Sequence, residues 1–148
     1  HTFYVSSGNS KKNWFGSSSY YNLWDANCTN KNNSDNTIVK TVYDPCPVGF
    51  KMPNGNTFTY FSKLNVVGSF NNGWYFKRNA DDTTGVFFPA SGYRSYSDGS
   101  LDSVGSRGYV WLSSAYSQNN ACHLIFYSST VNPQYGNTRA CGYSVRPV

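Results

Sequence analysis

Ala121-Cys122-His123-Leu124-Ile125-Phe126-Tyr127, continuing into Ser128-Ser129-Thr130-Val131, is the stretch on which the fold turns. Side chains alternate across an extended strand. Leu124 and Phe126 therefore share one face, and His123, Ile125 and Tyr127 share the other. The apolar face belongs to a core. The second face, polar and aromatic together, points outward on this reading. We expect one strand over 121–131, closed by Pro133, and a last strand over 139–147.

Upstream, Tyr109-Val110-Trp111-Leu112, Val86-Phe87-Phe88-Pro89-Ala90, Trp74-Tyr75-Phe76 and Ile38 to Tyr43 read as further strands, separated by turns at Pro53-Asn54-Gly55-Asn56, Asn71-Asn72-Gly73, Asp98-Gly99 and between Gly105 and Gly108. One helix is expected, capped by Thr57 and ending at Leu64, with Phe58, Phe61 and Leu64 on one side. Residues 1–27 read as short strands and loops, and 27–37 as a polar loop. Its two glycosylation sequons, at Asn27 and Asn32, are what chance gives in so Asn-rich a segment.

At 148 residues the chain has the length of one domain, and we read 1–148 as a single domain whose N-terminal part, 1–37, is the least determined. Only 13% of residues are charged and 18% are aromatic, and all seven acidic residues are Asp. Ser, Asn, Gly and Tyr dominate, which favours strands and loops over helices and gives a surface polar through hydroxyls and amides. That composition suits an extracellular or surface-displayed protein. The twelve Lys and Arg, for a net charge of +5, form no run, so no nucleic-acid partner is expected. No apolar run is long enough to insert into a membrane. The chain opens at His1 as though cut from a longer protein, and an upstream domain or anchor is expected.

Cys28, Cys46, Cys122 and Cys141 form no CxxC pair. Two disulfides are possible, Cys28–Cys46 and Cys122–Cys141 among them, and so are four free buried thiols. His1 is terminal and His123 lacks a partnered base, so no catalytic residues are assigned and the protein is not expected to be an enzyme. Asp81-Asp82, the one paired carboxylate, reads as a solvated turn between Arg78 and Gly85. No metal and no cofactor is expected.

Several segments together resemble a known family: Asp44 to Pro53 (DPCPVGFKMP), Phe87 to Arg94 (FFPASGYR), Asp98 to Leu101, Gly105 to Trp111 (GSRGYVW) and Gly142 to Val148 (GYSVRPV). They resemble the major-paralogous-domain and fimbrillin-associated surface proteins of gut Bacteroidetes. That group is similar in turn to the C-type-lectin-like and formylglycine-generating-enzyme folds. The resemblance covers roughly residues 40–148, on the order of one ordinary domain. It implies an α+β, C-type-lectin-like fold, loop-rich, with short antiparallel strands and one or two short helices.

The C-terminus resembles more narrowly the variable proteins of diversity-generating retroelements, in which adenine-directed mutagenesis of Asn codons diversifies a binding face. The resemblance implies a ligand-binding face at Tyr116, Ser117, Asn119, Asn120, Cys122, His123, Ile125, Tyr127, Ser129, Thr130, Tyr135, Asn137, Thr138, Cys141 and Tyr143, all of them adenine-reachable types. Gln118 and Gln134 are not reachable and belong to the scaffold, as do Leu124, Phe126, Val131, Pro133 and Gly142. Trp111, Arg94, Arg139 and Arg146 are also assigned to the scaffold, with Arg139 and Arg146 holding the last strands through loop carbonyls. Calcium-dependent sugar binding is not implied: the chain has Asn132-Pro133-Gln134 but no Trp-Asn-Asp. The enzyme motifs of the formylglycine group are also missing.

The expected function is recognition of a protein or cell-surface glycan by that face, on an adhesin or receptor-binding protein at the surface of a cell or a phage particle. The alternative is a structural adhesin or pilus-associated domain using the same face for subunit contacts.

Overall fold

The computed structural model describes residues 20–30 and 37–148. The expectations for 1–19 and 31–36, the sequon at Asn32 included, lie outside the described residues. Eight strands follow one another: β1 (Val66–Val67), β2 (Gly73–Phe76), β3 (Val86–Pro89), β4 (Tyr93–Arg94), β5 (Leu101–Asp102), β6 (Arg107–Ala115), β7 (Asn120–Tyr127) and β8 (Thr130–Thr138). They form two three-stranded sheets, ordered β1-β2-β3 and β6-β7-β8, and a two-stranded ribbon β4-β5, all antiparallel.

The α+β expectation, with one or two helices on a C-type-lectin-like scaffold, is overturned: the fold is all-β, with no helix among the described residues. The helix expected from Thr57 to Leu64 is absent: residues 54–65 run through successive tight turns instead. Thr57, Thr59, Phe61 and Asn65 each donate their backbone N–H to the carbonyl three residues back. Asn54 accepts from the Asn56 amide and the Thr57 hydroxyl, and the Thr59 hydroxyl bonds the Asn56 carbonyl. Asn and Thr side chains thus offer the backbone partners that a helix of this length, too short to repay nucleation, cannot outbid. Phe58 and Phe61 still reach the core, while Leu64 stands exposed.

The strand expectations also change. Residues 121–131 are not one strand but the arms of a hairpin, β7 and β8, joined at Ser128-Ser129. Pro133 does not close a strand; it sits inside β8, where the register slips between His123 and Ile125. A proline is tolerated there because β8 is the sheet's edge and the bulge releases its ladder position. Ile38 to Tyr43 contributes only a single bridge, Lys40 to Asp25. The expected closing strand over 139–147 contributes only bridges at Gly142 and Ser144.

The main core lies between the two three-stranded sheets. Val110 and Leu112 of β6 and Cys122, Leu124 and Phe126 of β7 face Trp74, Phe76 and Phe88 across it, with Phe58 and Phe61 between. Phe76 stacks on Phe61 with ring centroids 4.4 Å apart and meets Phe126 edge-on at 5.3 Å, offset and perpendicular geometries that aromatic rings favour. A second cluster covers part of the other face of β6–β7: Trp111, Tyr109, Tyr143, Cys141, Cys46 and Met52, with Trp24 against Trp111.

Glycine is required at Gly108. A Cβ there would stand 2.0–2.5 Å from three carbons of the Phe126 ring, its partner in register. We therefore expect Gly108→Ala to cost about 1–3 kcal/mol, as overpacking does. In urea unfolding this appears as a lower midpoint. Pairing it with Phe126→Leu should recover part of the loss.

Candidate ligand-binding site

The face of β6-β7-β8 turned away from the main core carries the odd-numbered residues of β6 and β7. Register places Arg107 beside Tyr127 and Thr130, Tyr109 beside Ile125 and Asn132, and Trp111 beside His123 and Tyr135. Trp111 and Tyr109 are roofed by Tyr143, whose ring stacks on both at 4.4 and 4.6 Å. The rest of the face is an open groove of about 450 Å³. Its long walls are Arg107 and Tyr109 on one side and Thr130, Asn132, Tyr135 and Asn137 on the other; His123, Ile125 and Tyr127 form the floor, and Tyr93 and Tyr143, in contact with each other, pack beside Tyr109.

Each wall is held from outside. At the hairpin tip, Trp74 donates its indole N–H to the Tyr127 carbonyl at 3.1 Å, and Lys63 bonds the Ser128 carbonyl at 2.9 Å while lying over the Trp74 ring. On the edge strand, Gln134 reaches back to the Gly55 carbonyl and the Asn56 side chain. Asn137 donates to the Tyr143 hydroxyl at 2.5 Å, so the last strand of the wall positions the roof. Burial raises the Tyr143 phenol's pKa, and it stays protonated. Arg107, the single charged residue of the lining, lies 5.4 Å from the Tyr127 ring centre, and the Tyr109 phenol beside it keeps it firmly charged.

His123 was expected on an exposed face. It lies on that face but is fully buried, boxed by Trp111, Tyr109, Tyr135 and Tyr143 with ring centroids 4.9–6.0 Å away. Neither ring nitrogen has a hydrogen-bond partner among the described residues. Desolvation by these rings dominates and lowers its pKa to about 4, only partly opposed by the neighbouring backbone of Ala121 and Tyr135. The imidazole is therefore neutral at physiological pH, and leaving it unpaired costs about 1–3 kcal/mol.

Of the fifteen positions expected at the ligand, the groove gathers seven: His123, Ile125, Tyr127, Thr130, Tyr135, Asn137 and Tyr143. Cys122 and Thr138 are buried on the core side of the sheet, and Cys141 is buried in the second cluster. Tyr116 is exposed but lies across the sheet from the groove, its ring laid on Gly136 where a Cβ would otherwise stand. Ser117 and Asn119 belong to the β6–β7 turn, Asn120 opens β7 opposite Thr138, and Ser129 belongs to the hairpin tip, all outside the groove.

Four lining residues were not expected: Tyr93, Arg107, Tyr109 and Asn132. Arg107 and Tyr109 carried a legible signal, since with Trp111 they alternate as His123, Ile125 and Tyr127 do. Reading Gly105 to Gly108 as one turn concealed it.

The scaffold residues have clear partners. Arg139, buried, donates to the carbonyls of Tyr20, Ser117 and Gln118. Arg146 bonds the Phe87 carbonyl and covers the Phe88 ring. Asp82 is a turn hub: Arg78 binds it through Nε at 2.7 Å, and the Thr84 and Gly85 amides donate to it, so its carboxyl stays well below the usual range. None of the four cysteines is in a disulfide and all are buried, and desolvation pushes Cys46 and Cys122 up to about 11. The groove lining contains neither a thiol nor a carboxylate. What it offers is hydrogen bonding and ring contact.

Residues 65–148 match the family model of a domain of unknown function, DUF8237. This is more than half of the chain, and it takes in all eight strands and the whole groove. Comparison with curated proteins and with solved structures gives no match.

Because the folded His123 titrates near 4 and the free side chain near 6.5, the unfolded chain takes up the proton first as pH falls. The stability this group protects is complete above pH 6.5 and is lost progressively down to about 4, a total of about 3 kcal/mol. His123→Phe should flatten the stability profile in that window without lowering the unfolding temperature at pH 7. The decline at lower pH should persist. Burial alone would raise the Asp44 pKa, but hydrogen bonds from the Cys46 and Met52 amides and from Lys40 outweigh it and hold it below its ordinary 3.8. Thermal unfolding followed by circular dichroism across pH 3–8 reads both effects.

Proposed function

The chain belongs to the DUF8237 family, and we propose that it is a recognition module which binds an external protein or glycan in the groove on β6-β7-β8. The observation that carries this reading is the sheet face itself: an open concavity floored and walled by Tyr, Asn, Thr and His on a rigid, doubly paired strand. Tyr supplies large amphipathic contact with only two side-chain torsions to order, and Asn and Thr adapt their hydrogen bonds, as in antibody paratopes. Mounting them on a sheet pinned by Trp74, Lys63 and Gln134 lowers the ordering cost of association. The sparse charge and the hydroxyl- and amide-rich surface fit display outside the cell or on a phage particle.

Cell-binding and pull-down assays with Tyr127→Ala and Tyr135→Ala test the face. Each should weaken binding about tenfold or more, while Leu64→Ala, exposed and remote in sequence, should leave it unchanged. Loss of self-association in place of ligand binding would support the subunit-contact alternative.

If retroelement mutagenesis diversifies this chain, the positions it reaches with least harm are the more open ones: exposed Ser129 and Tyr135, and half-buried Ser117, Asn119, Asn120 and Thr130. Substitution of buried Cys122 or Thr138, or of His123 by a smaller side chain, disturbs packing. Sibling sequences from one source should then differ at the open set and agree at the buried one. Uniform siblings would remove the diversification idea and leave the groove standing.

A further inference from the structure

We propose that the groove takes a neutral saccharide, and that one sugar hydroxyl pairs with His123 in its floor. The inference rests on the recognition role proposed above and narrows it to a ligand class.

Charge is the first argument. The lining contains one cation, Arg107, and no carboxylate. Arg107 already lies over the Tyr127 ring and feels the charge of Asp102 nearby. An acidic ligand would find one partly compensated cation at one end of the groove and no second. A basic ligand would find no anion in the lining at all.

Hydrogen-bonding capacity is the second. Tyr and Thr hydroxyls and Asn amides each donate and accept, and a sugar hydroxyl does the same. Ile125 is the single aliphatic residue of the lining, so the side-chain pockets that an apolar peptide would need are missing. The aromatic rings answer the other half of a sugar's surface, its apolar C–H faces. Tyr135 is 51% exposed and presents a ring on the edge strand. The groove's volume, about 450 Å³, leaves room for one or two sugar rings.

His123 is the third and independent observation. It is a fully buried polar side chain in the floor of the groove; the Ala121 and Tyr135 backbone lies near the imidazole, but neither ring nitrogen finds a partner there in hydrogen-bonding geometry. Buried polar groups are almost always satisfied, and an orphan calls for a partner. Tyr135 meets the imidazole edge-on and is the exposed member of its box, so it is the ring that a ligand would have to displace to reach His123. A neutral imidazole offers one donor and one acceptor, the pair a hydroxyl uses.

The test is a glycan array holding neutral glycans (hexoses and N-acetylhexosamines) and acidic ones, run beside a random-peptide library, with the best binder titrated calorimetrically at low and high salt. A neutral oligosaccharide should be captured, with little change in affinity between the two salts. His123→Phe should weaken it about tenfold without lowering the unfolding temperature at pH 7, and Tyr135→Ala should weaken it too. Should His123→Phe not fold, imidazole nitrogen shifts in the unaltered protein on adding the captured glycan serve instead: a shift supports the pairing and its absence overturns it.

Capture of acidic glycans alone, of peptides alone, or of nothing overturns the saccharide class, as does unchanged affinity in His123→Phe. A peptide whose binding is lost with Tyr127→Ala and Tyr135→Ala overturns the class but keeps the recognition groove. A ligand of any kind indifferent to both variants removes the groove reading itself.

Discussion

Strand β7 is hydrogen-bonded along both edges and packed on both faces, and the rest of the molecule is arranged around that constraint. Because its side chains alternate, one face must deliver Cys122, Leu124 and Phe126 to the core between the sheets. The other then has no choice but to present His123, Ile125 and Tyr127. Gly108 admits the Phe126 ring, which seats β7 on β6 at one register and no other. A slip of one residue would bury His123 and Tyr127 in the apolar core and expose Leu124 and Phe126.

The two faces differ in how they are completed. On the core side, rings from three strands and from the turn segment at 58–61 interlock edge-to-face. On the far side, the chain's own C-terminus covers only half the sheet. Trp111 takes Ser144 as a backbone partner, Tyr143 stacks over Trp111 and Tyr109, and the final residues pair with Lys51. The uncovered half is the groove. Its position thus follows from where the C-terminal segment stops roofing the sheet, and Asn137 joins the two parts by bonding the Tyr143 hydroxyl.

Local pattern and tertiary context contributed differently along the chain. Alternation located β7, because a strand half-buried on a core writes its period into the residues, while aromatic and apolar runs bounded by turn residues located β2, β3 and the heart of β6. The hairpin at Ser128-Ser129 left no such mark: it lacks the Asn-Gly or Asp-Gly pair that announces a tight turn. Phe58, Phe61 and Leu64 mimic a helical stripe, yet only the two Phe pack, and the Asn and Thr between them prefer turns. Pro133 looked like a terminator because proline usually is one; at an edge strand with a bulge it is not.

Among the site residues, the odd positions of β7 were legible from sequence alone, and so was the assignment of Arg139 and Arg146 to structure rather than contact. Composition by itself also determined that the surface would be polar without being charged. What only the tertiary structure decided is which polar and aromatic residues meet. Arg107 and Tyr109 join the groove because β6 pairs with β7, and Tyr93 because the ribbon β4-β5 sets its ring against Tyr109 and Tyr143. Tyr116, Cys122, Thr138 and Cys141 leave it because facing is set by register and packing, over residues far apart in the chain. His123 shows the difference most directly. Sequence placed it on the right face, but its burial depends on Tyr143, twenty residues later, and no local pattern contains that contact.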